Sequence, residues 1–241
     1  VVSWCLVAIL TAGLFSFAFA QLHYGWNWEA IWGYRQKFLQ GWLMTVVISA
    51  VSLGASLLIG LVAALARRSL FLPLRYSAVL YVEAIRGTPL LVQILILFYV
   101  VANAFGLENR YLVGVLALSL FAGAYLAEMI RAGIESIRDS QLESARAIGL
   151  TPAQTYRYVV FPQVVRQLVP PLAGQFASII KDSSLLSIIA VSEFTLNAQE
   201  VNAFTYSTLE SYLPLAVGYL LLTLPISLLG RILERRFRFA A

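Results

Sequence analysis

Asp139–Pro162, DSQLESARAIGLTPAQTYRYVVFP, decides how the chain is read. It is a long, well-patterned polar passage between two hydrophobic blocks. Glu143 to Ile148 supply good helix formers, with Ser140 as the expected cap. Gly149 suits the position just past a helix end, where a left-handed backbone costs little. Thr151-Pro152-Ala153-Gln154 then reads as a new start, with Thr at the N-cap, Pro at N1 and Gln at N3 closing a capping box. Pro162 is expected to end that second helix. The pattern predicts two short helices around a tight turn, held at a membrane surface as a docking piece.

Working outward, the rest of the chain is apolar. Of 241 residues, 60% are hydrophobic and 12% charged, and the mean hydropathy is +0.81. Such a composition fits an all-α polytopic membrane protein and disfavours a soluble domain. The one Cys, Cys5, leaves no intrachain disulfide framework. The net charge of +5 is not arranged as a basic stripe interleaved with aromatics, so nucleic acid is not an expected partner.

Six spans are expected. Residues 1–20 are uncharged and long enough to cross. Their end at Phe19-Ala20-Gln21 faintly resembles a signal-peptide cleavage site, but without a basic leader the stretch is expected to persist as an extra helix. Residues 21–40 are polar and aromatic, an external interfacial segment with a short helix over Trp28–Lys37; His23 is read as an interfacial or loop residue. Residues 41–66 form the second span, whose Ser49, Ser52, Gly54, Ser56 and Gly60 favour close packing. Residues 76–104 form the third, with Pro89 bending or interrupting it. Gly106 ends it, before an external turn at Glu108–Arg110. Residues 111–135 are the fourth. Residues 164–193 are a fifth block broken at Lys181–Ser184, and residues 211–230 are the sixth, after a polar outer segment at 194–210.

Basic residues set the orientation. Placing residues 67–75, 131–166 and 231–238 inside collects twelve of the seventeen Lys and Arg, against three outside. Glu29, Glu108, Glu193, Glu200 and Glu210 fall outside. Both termini and the docking pair are then cytoplasmic.

Charges inside spans are costly and need an account. Glu83, Arg86, Glu128, Lys181 and Asp182 either pair with one another or line a cavity for a charged solute. An amino acid needs an anion for its ammonium, which Asp182 and Glu128 offer. It also needs a cation or helix N-terminus for its carboxylate, which Arg86 and Lys181 offer. Ser183, Ser184, Thr88 and Gln93 add uncharged hydrogen bonds. Glu83 and Arg86 also fit a pair along one helix face. No phosphate-binding G-x-x-x-x-G-K-[ST] loop, no G-x-S-x-G elbow and no metal spacing is present, so an enzyme with its own catalytic or metal site is not expected.

The docking segment resembles the coupling region of inner-membrane permease subunits of binding-protein-dependent ABC importers. That pattern is Glu-Ala-Ala, three residues, Gly, nine residues, then Ile-x-Leu-Pro. Glu143-Ser144-Ala145, Gly149, and Val159, Phe161 and Pro162 occupy its positions, with Ser144 in place of Ala and conservative apolar changes at Val159 and Phe161. YVEAIRGTPLLVQ (Tyr81–Gln93), AEMIRAGIESI (Ala127–Ile137) and KDSSLLSIIAVSEF (Lys181–Phe194) resemble the branch for polar amino acids of the histidine, glutamine, arginine and glutamate type.

The resemblance covers roughly Phe38 to Phe239. It implies a type I ABC importer transmembrane domain from about residue 41 to 241, with a cytoplasmic coupling helix, in a bacterial inner membrane. A second permease chain, identical or related, would complete the pathway. Two ATPase subunits would bring ATP and Mg, and a periplasmic amino acid-binding protein would deliver the solute; the permease itself has no cofactor. Glu143, Ser144, Ala145, Arg146, Gly149 and Pro162 would shape the ATPase contact. Asp182, Lys181, Ser183, Ser184, Glu128, Arg86, Thr88 and Gln93 are the candidate solute residues. Other readings are a permease for another small zwitterion such as an opine, an ion-driven secondary carrier, or a structural membrane subunit.

Overall fold

Lipid offers the backbone no hydrogen-bond partners, so a chain this apolar must satisfy its N–H and C=O groups within helices. A computed structural model describes residues 2–21 and 24–238, which are helical with short connections; His23 lies outside the described residues. The order is α1 (Val2–Gln21), α2 (Trp28–Trp32), α3 (Arg35–Ala66), α4 (Leu72–Arg86), α5 (Leu90–Ile96), α6 (Arg110–Glu135), α7 (Asp139–Ala147), α8 (Pro152–Thr155), α9 (Phe161–Asp182), α10 (Phe194–Thr205) and α11 (Thr208–Arg238). Widened π turns extend α5 over Leu97–Ala102 and join α8 to α9 over Tyr156–Val160; a 3₁₀ segment, Ser183–Ile189, follows α9.

Among the described residues, α3, α6 and Thr208–Arg235 of α11 are each long and apolar enough to cross a bilayer. The expected third span is interrupted at Pro89, but more sharply than by a kink within one helix: α4 and the α5 unit are bent by 113° at the Gly87–Pro89 break. Pro89 occupies the N-cap of α5 in extended conformation, which forces the turn. The expected fifth span also differs. Helix α9 has 22 residues but carries Gln163, Arg166, Gln167 and Gln175, and it does not reach the apolarity of the other three.

The pair α3–α6 is the structural centre. Ser49, Ser52, Ser56 and Gly60 recur on one face of α3, and all are buried. At Gly60 an added Cβ would lie 2.7 Å from the Leu126 Cβ and 3.0 Å from the Gly123 carbonyl oxygen. At Gly123 it would meet Ile59 Cγ2 at 2.7 Å. Backbone therefore touches backbone, the close approach that small residues permit in lipid. Gly54 was grouped with these by composition, but nothing lies within 4 Å of a Cβ there. Helix α4 closes on this pair through Val82 among Ala63, Ala64, Ala124 and Ala127, and the Tyr81 hydroxyl donates to the Leu120 carbonyl at 2.6 Å.

Several boundaries moved from their expected places. The interfacial helix stops at Trp32, and Arg35 and Lys37 already belong to α3. Arg138, not Ser140, holds the N-cap of α7. Pro162 does not end a helix: it sits in the first turn of α9, directly after the π turn. A proline lacks an N–H and its ring crowds the carbonyl four residues back; the wider turn accommodates both.

The stretch 194–210 is more than a polar outer segment. It contains α10, whose Phe194, Ala198 and Val201 pack with Ile31 and Phe38. Glu193 and Glu210, expected on the outer side, are fully buried. Glu193 caps α10 by accepting from the Thr195 and Leu196 amides at 2.8 Å each. The Tyr219 hydroxyl donates to it at 3.1 Å, and the Thr45 hydroxyl reaches it at 3.5 Å. One carboxylate thus joins α3, α10 and α11. Glu210 receives the Tyr24 hydroxyl and the Asn27 amide, tying the segment before α2 to the start of α11.

Replacing Gly60 with Leu is expected to lower stability by about 1–3 kcal/mol through overpacking, read as an earlier thermal melt of the purified subunit in detergent. Gly54→Ala should leave that melt unchanged. Glu193→Ala should cost roughly 2–4 kcal/mol, since it removes a cap and breaks a buried hydrogen-bond network; a melt equal to that of the unmutated chain would refute it.

Candidate functional site

Three groups of polar residues stand out, at the docking segment, at the end of α3, and at the two broken helices.

In the docking segment, local signals dictate local structure. Helix α7 closes at Ile148, and Gly149 takes a left-handed φ of +82°. Its amide bonds to the Arg146 carbonyl at 2.9 Å and that of Leu150 to Ala145 at 3.0 Å, so the last carbonyls are satisfied. Thr151 and Gln154 form the reciprocal capping box: the Thr151 amide donates to Gln154 Oε1 at 2.9 Å and the Gln154 amide to Thr151 Oγ1 at 3.3 Å. Ala145 is buried, whereas Glu143, Ser144, Arg146 and Gly149 are exposed. Beneath the segment, Ile137, Val160 and Val164 pack with Ile134, Leu142 and Leu168, seating it on α6 and α9. The face carrying Glu143, Ser144 and Arg146 is therefore presented outward on an apolar base.

At the end of α3, Glu128 of α6 is shared by arginines from three helices. Arg67 donates to its Oε2 at 2.8 Å. Arg131 makes a bidentate contact, Nε to Oε2 at 3.0 Å and Nη2 to Oε1 at 2.5 Å. Arg86 of α4 stands 3.7 Å from Oε1, and its guanidinium lies over the Tyr125 ring at 5.7 Å. Arg131 also pairs with Glu135. Glu128 and Arg86, both candidate solute residues, are thus already partnered here. The expected Glu83–Arg86 pair is replaced by Arg86–Glu128. Tandem arginines after a span were legible as a cytoplasmic signal; their convergence on α6 was not, because it joins residues 61 positions apart.

At the broken helices, Gln93 folds back over the bend. Its Nε2 shares two N–H groups among the Ile85 carbonyl at 2.7 Å, the Thr88 carbonyl at 3.0 Å and Thr88 Oγ1 at 2.8 Å, and so caps the Ile85 carbonyl that Pro89 leaves without a helical partner. A cavity of about 200 Å³ adjoins it, lined otherwise by apolar side chains that include Ile85, Leu97 and Leu120. Leu90 and Ile94 pack against Leu186 and Ile189, so the α4–α5 bend and the 3₁₀ segment face each other. At the head of that segment Lys181 is exposed, Asp182 half-buried and Ser183 fully buried. Ser183 donates to the Ile180 carbonyl at 2.8 Å and Ser184 to Lys181 at 2.7 Å. The segment ends at Ala190 in left-handed conformation, φ +56°, with its carbonyl held by Arg110 at 3.0 Å. Arg110 and Glu193 are two anchors that the sequence reading missed; both act on residues distant along the chain or on backbone atoms, where composition carries no signal.

No cluster of three or more His, Cys, Asp or Glu able to hold a metal occurs among the described residues.

Comparison with known proteins gives this geometry its context. The glutamine transport system permease protein GlnP of Escherichia coli (strain K12) is 36% identical over 214 residues, covering 88% of this chain and 98% of that protein. The L-cystine transport system permease protein TcyB of Bacillus subtilis (strain 168) is 40% identical over 193 residues, covering 80% and 82%. Among solved structures, an amino acid ABC transporter with histidines superposes with a TM-score of 0.82 at 35% identity, over 88% of this chain and 100% of that one. The inward-facing MetNI methionine ABC transporter gives a TM-score of 0.71 at 17% identity, over 85% and 98%, and shares the fold. The architecture is that of a type I ABC importer transmembrane domain. Residues 56–239 match the family model for binding-protein-dependent transport system inner membrane components, and the chain belongs to that family.

Proposed function

We propose that this chain is a permease subunit of an ATP-driven importer that carries a polar L-amino acid across the inner membrane. The observation that carries the reading is the α7–Gly149–α8 unit: two capped short helices on an apolar base, with Glu143, Ser144 and Arg146 facing outward. A side chain set exposed on a scaffold closed by the Gly149 turn and the Thr151–Gln154 capping box fits a partner's groove with little ordering cost. The partner is an ATPase subunit, one for each of two permease chains, supplying ATP and Mg; the permease hydrolyses nothing. A periplasmic binding protein hands over the solute from the other face. The charge bias supports cytoplasmic placement of both termini and of the coupling segment 139–162. Residues 41–241 form the permease domain, preceded by the interfacial segment 21–40 and the extra helix 1–20.

The solute passes alongside the packed α4–α5 bend and the head of the 3₁₀ segment, where apolar side chains meet a few polar groups. Asp182 offers a carboxylate to the solute ammonium and Lys181 an ammonium to its carboxylate. Ser184, Thr88 and Gln93 add neutral hydrogen bonds, and Ser183 braces the turn. Glu128 and Arg86 shape the cytoplasmic end of the path. The resemblance of the relatives named for glutamine and L-cystine supports a polar amino acid as cargo. Reconstitution with ATPase and binding protein in proteoliposomes, followed by uptake of labelled amino acids, tests the whole reading. ATP-independent uptake, or uptake of an opine in preference to every amino acid, would displace it.

Glu143→Lys should weaken co-purification of the ATPase subunit by about tenfold, by inverting a charge at the contact; unchanged recovery together with unchanged uptake excludes Glu143 from it. Asp182→Asn should raise the KM for a cationic or zwitterionic amino acid by about tenfold while assembly persists, the cost of losing a charged hydrogen-bond partner. Identical uptake kinetics would remove Asp182 from the path.

A further inference from the structure

The last two residues of the turn that ends α3, Arg67 and Arg68, reach in different directions. The α3 terminus fixes both backbones, with the Arg67 amide bonded to the Ala63 carbonyl and that of Arg68 to Leu65, each at 3.0 Å. Arg67 is the less exposed, at 15%, and is locked onto Glu128 of α6. Arg68 instead lays its guanidinium 5.9 Å from the ring centre of Tyr156. Tyr156 is the first residue of the π turn and follows α8 of the docking segment directly. On its far side Glu128 meets Arg86, the last residue of α4 before the 113° bend. A continuous chain of contacts therefore runs Tyr156–Arg68–Arg67–Glu128–Arg86. It joins the docking segment to the bend without passing through the apolar base that seats the segment.

We propose that Arg68 and Tyr156 are positioning residues that convey displacement of the ATPase-docked segment to the end of α3, and from there through Arg67 and Glu128 to α6 and α4. The inference rests on the transport reading above. A planar cation over an aromatic face holds two elements together yet lets them slide, because the attraction varies slowly across the ring. The Arg67–Glu128–Arg131 contacts are directional and hold α3 to α6 in one register. The chain thus has a compliant joint at the docking segment and a stiff joint at the membrane. That order suits a link that must follow a moving partner and turn its motion into a defined shift of the bend.

The test is solute moved per ATP hydrolysed, measured together in proteoliposomes containing the assembled importer. Arg68→Ala and Tyr156→Ala should each lower that ratio about two- to fivefold, the loss expected for a half-exposed cation–π contact. Tyr156→Phe, which keeps the ring, and Arg68→Lys, which keeps a cation, should retain most of it. The double variant R68A/Y156A should be no worse than either single one, since both remove the same contact. Unchanged ratios, additive losses, or a Tyr156→Phe defect equal to that of Tyr156→Ala would overturn the proposal. So would loss of ATPase co-purification in Tyr156→Ala alone, which makes Tyr156 a docking contact. If the unmutated importer shows no ATP-driven uptake, the transport reading fails and this inference with it; the outcomes above sink only the relay.

Discussion

The fold depends on how closely α3 and α6 approach. A Cβ at Gly60 would meet Leu126 Cβ and the Gly123 carbonyl, and one at Gly123 the Ile59 side chain, each closer than van der Waals contact. In lipid, apolar surface gains little by leaving one hydrocarbon environment for another, so association relies on contact density and polar bonds. The α3–α6 seam supplies the first. Onto it are set α4 through Val82 and Tyr81, α5 and the 3₁₀ segment through Leu118 and Leu186, and α9 beyond them. More than half of the central stretch of α6 is buried, against 6% for that of α11. Helix α6 is the axle, and α11 leaves most of its surface uncovered by the rest of the chain.

The second organising feature is the use of single carboxylates to join several helices. Glu193 gathers α3, α10 and α11 at one end of the bundle; Glu128 gathers α3, α4 and α6 at the other. The two solve different problems. Among the described residues Glu193 has amide and hydroxyl donors and no cation within ion-pair distance, so buried neutral dipoles hold it. Glu128 is surrounded by guanidinium groups and remains partly open to solvent. Charges within a membrane protein are costly unless satisfied, and both are satisfied by residues from distant parts of the chain. The same pattern recurs at Glu210, which holds Tyr24 and the Asn27 amide across more than 180 positions.

That separation explains what was legible beforehand. The docking segment could be read nearly residue by residue: a left-handed glycine, a capping box and a proline at N1 are local devices, settled within four or five positions. The Pro89 break and the Gly106 turn were legible for the same reason. Glu193 and Glu210 could be read only as acids on the outer side, because only the folded chain brings Thr45, Tyr219 and Tyr24 to them. Pro162 was misjudged because a proline commonly stops a helix, and nothing local announces the widened turn that lets one continue. The candidate site was legible as a set of residue types. Their sorting into an arginine-bound carboxylate, a Gln93-capped bend and a 3₁₀ turn required the tertiary contacts.

The π turn at Tyr156–Val160 has a mechanical meaning. No loop separates α8 from α9, so the docking piece and the long helix above it form one crank, and the widened turn sets the angle between throw and shaft. Each residue added to or removed from an α-helix rotates everything beyond it by about 100°. Trimming one residue there would leave both arms intact and swing the α7–α8 piece to a different side of the long helix, a failure of phase in two otherwise sound parts.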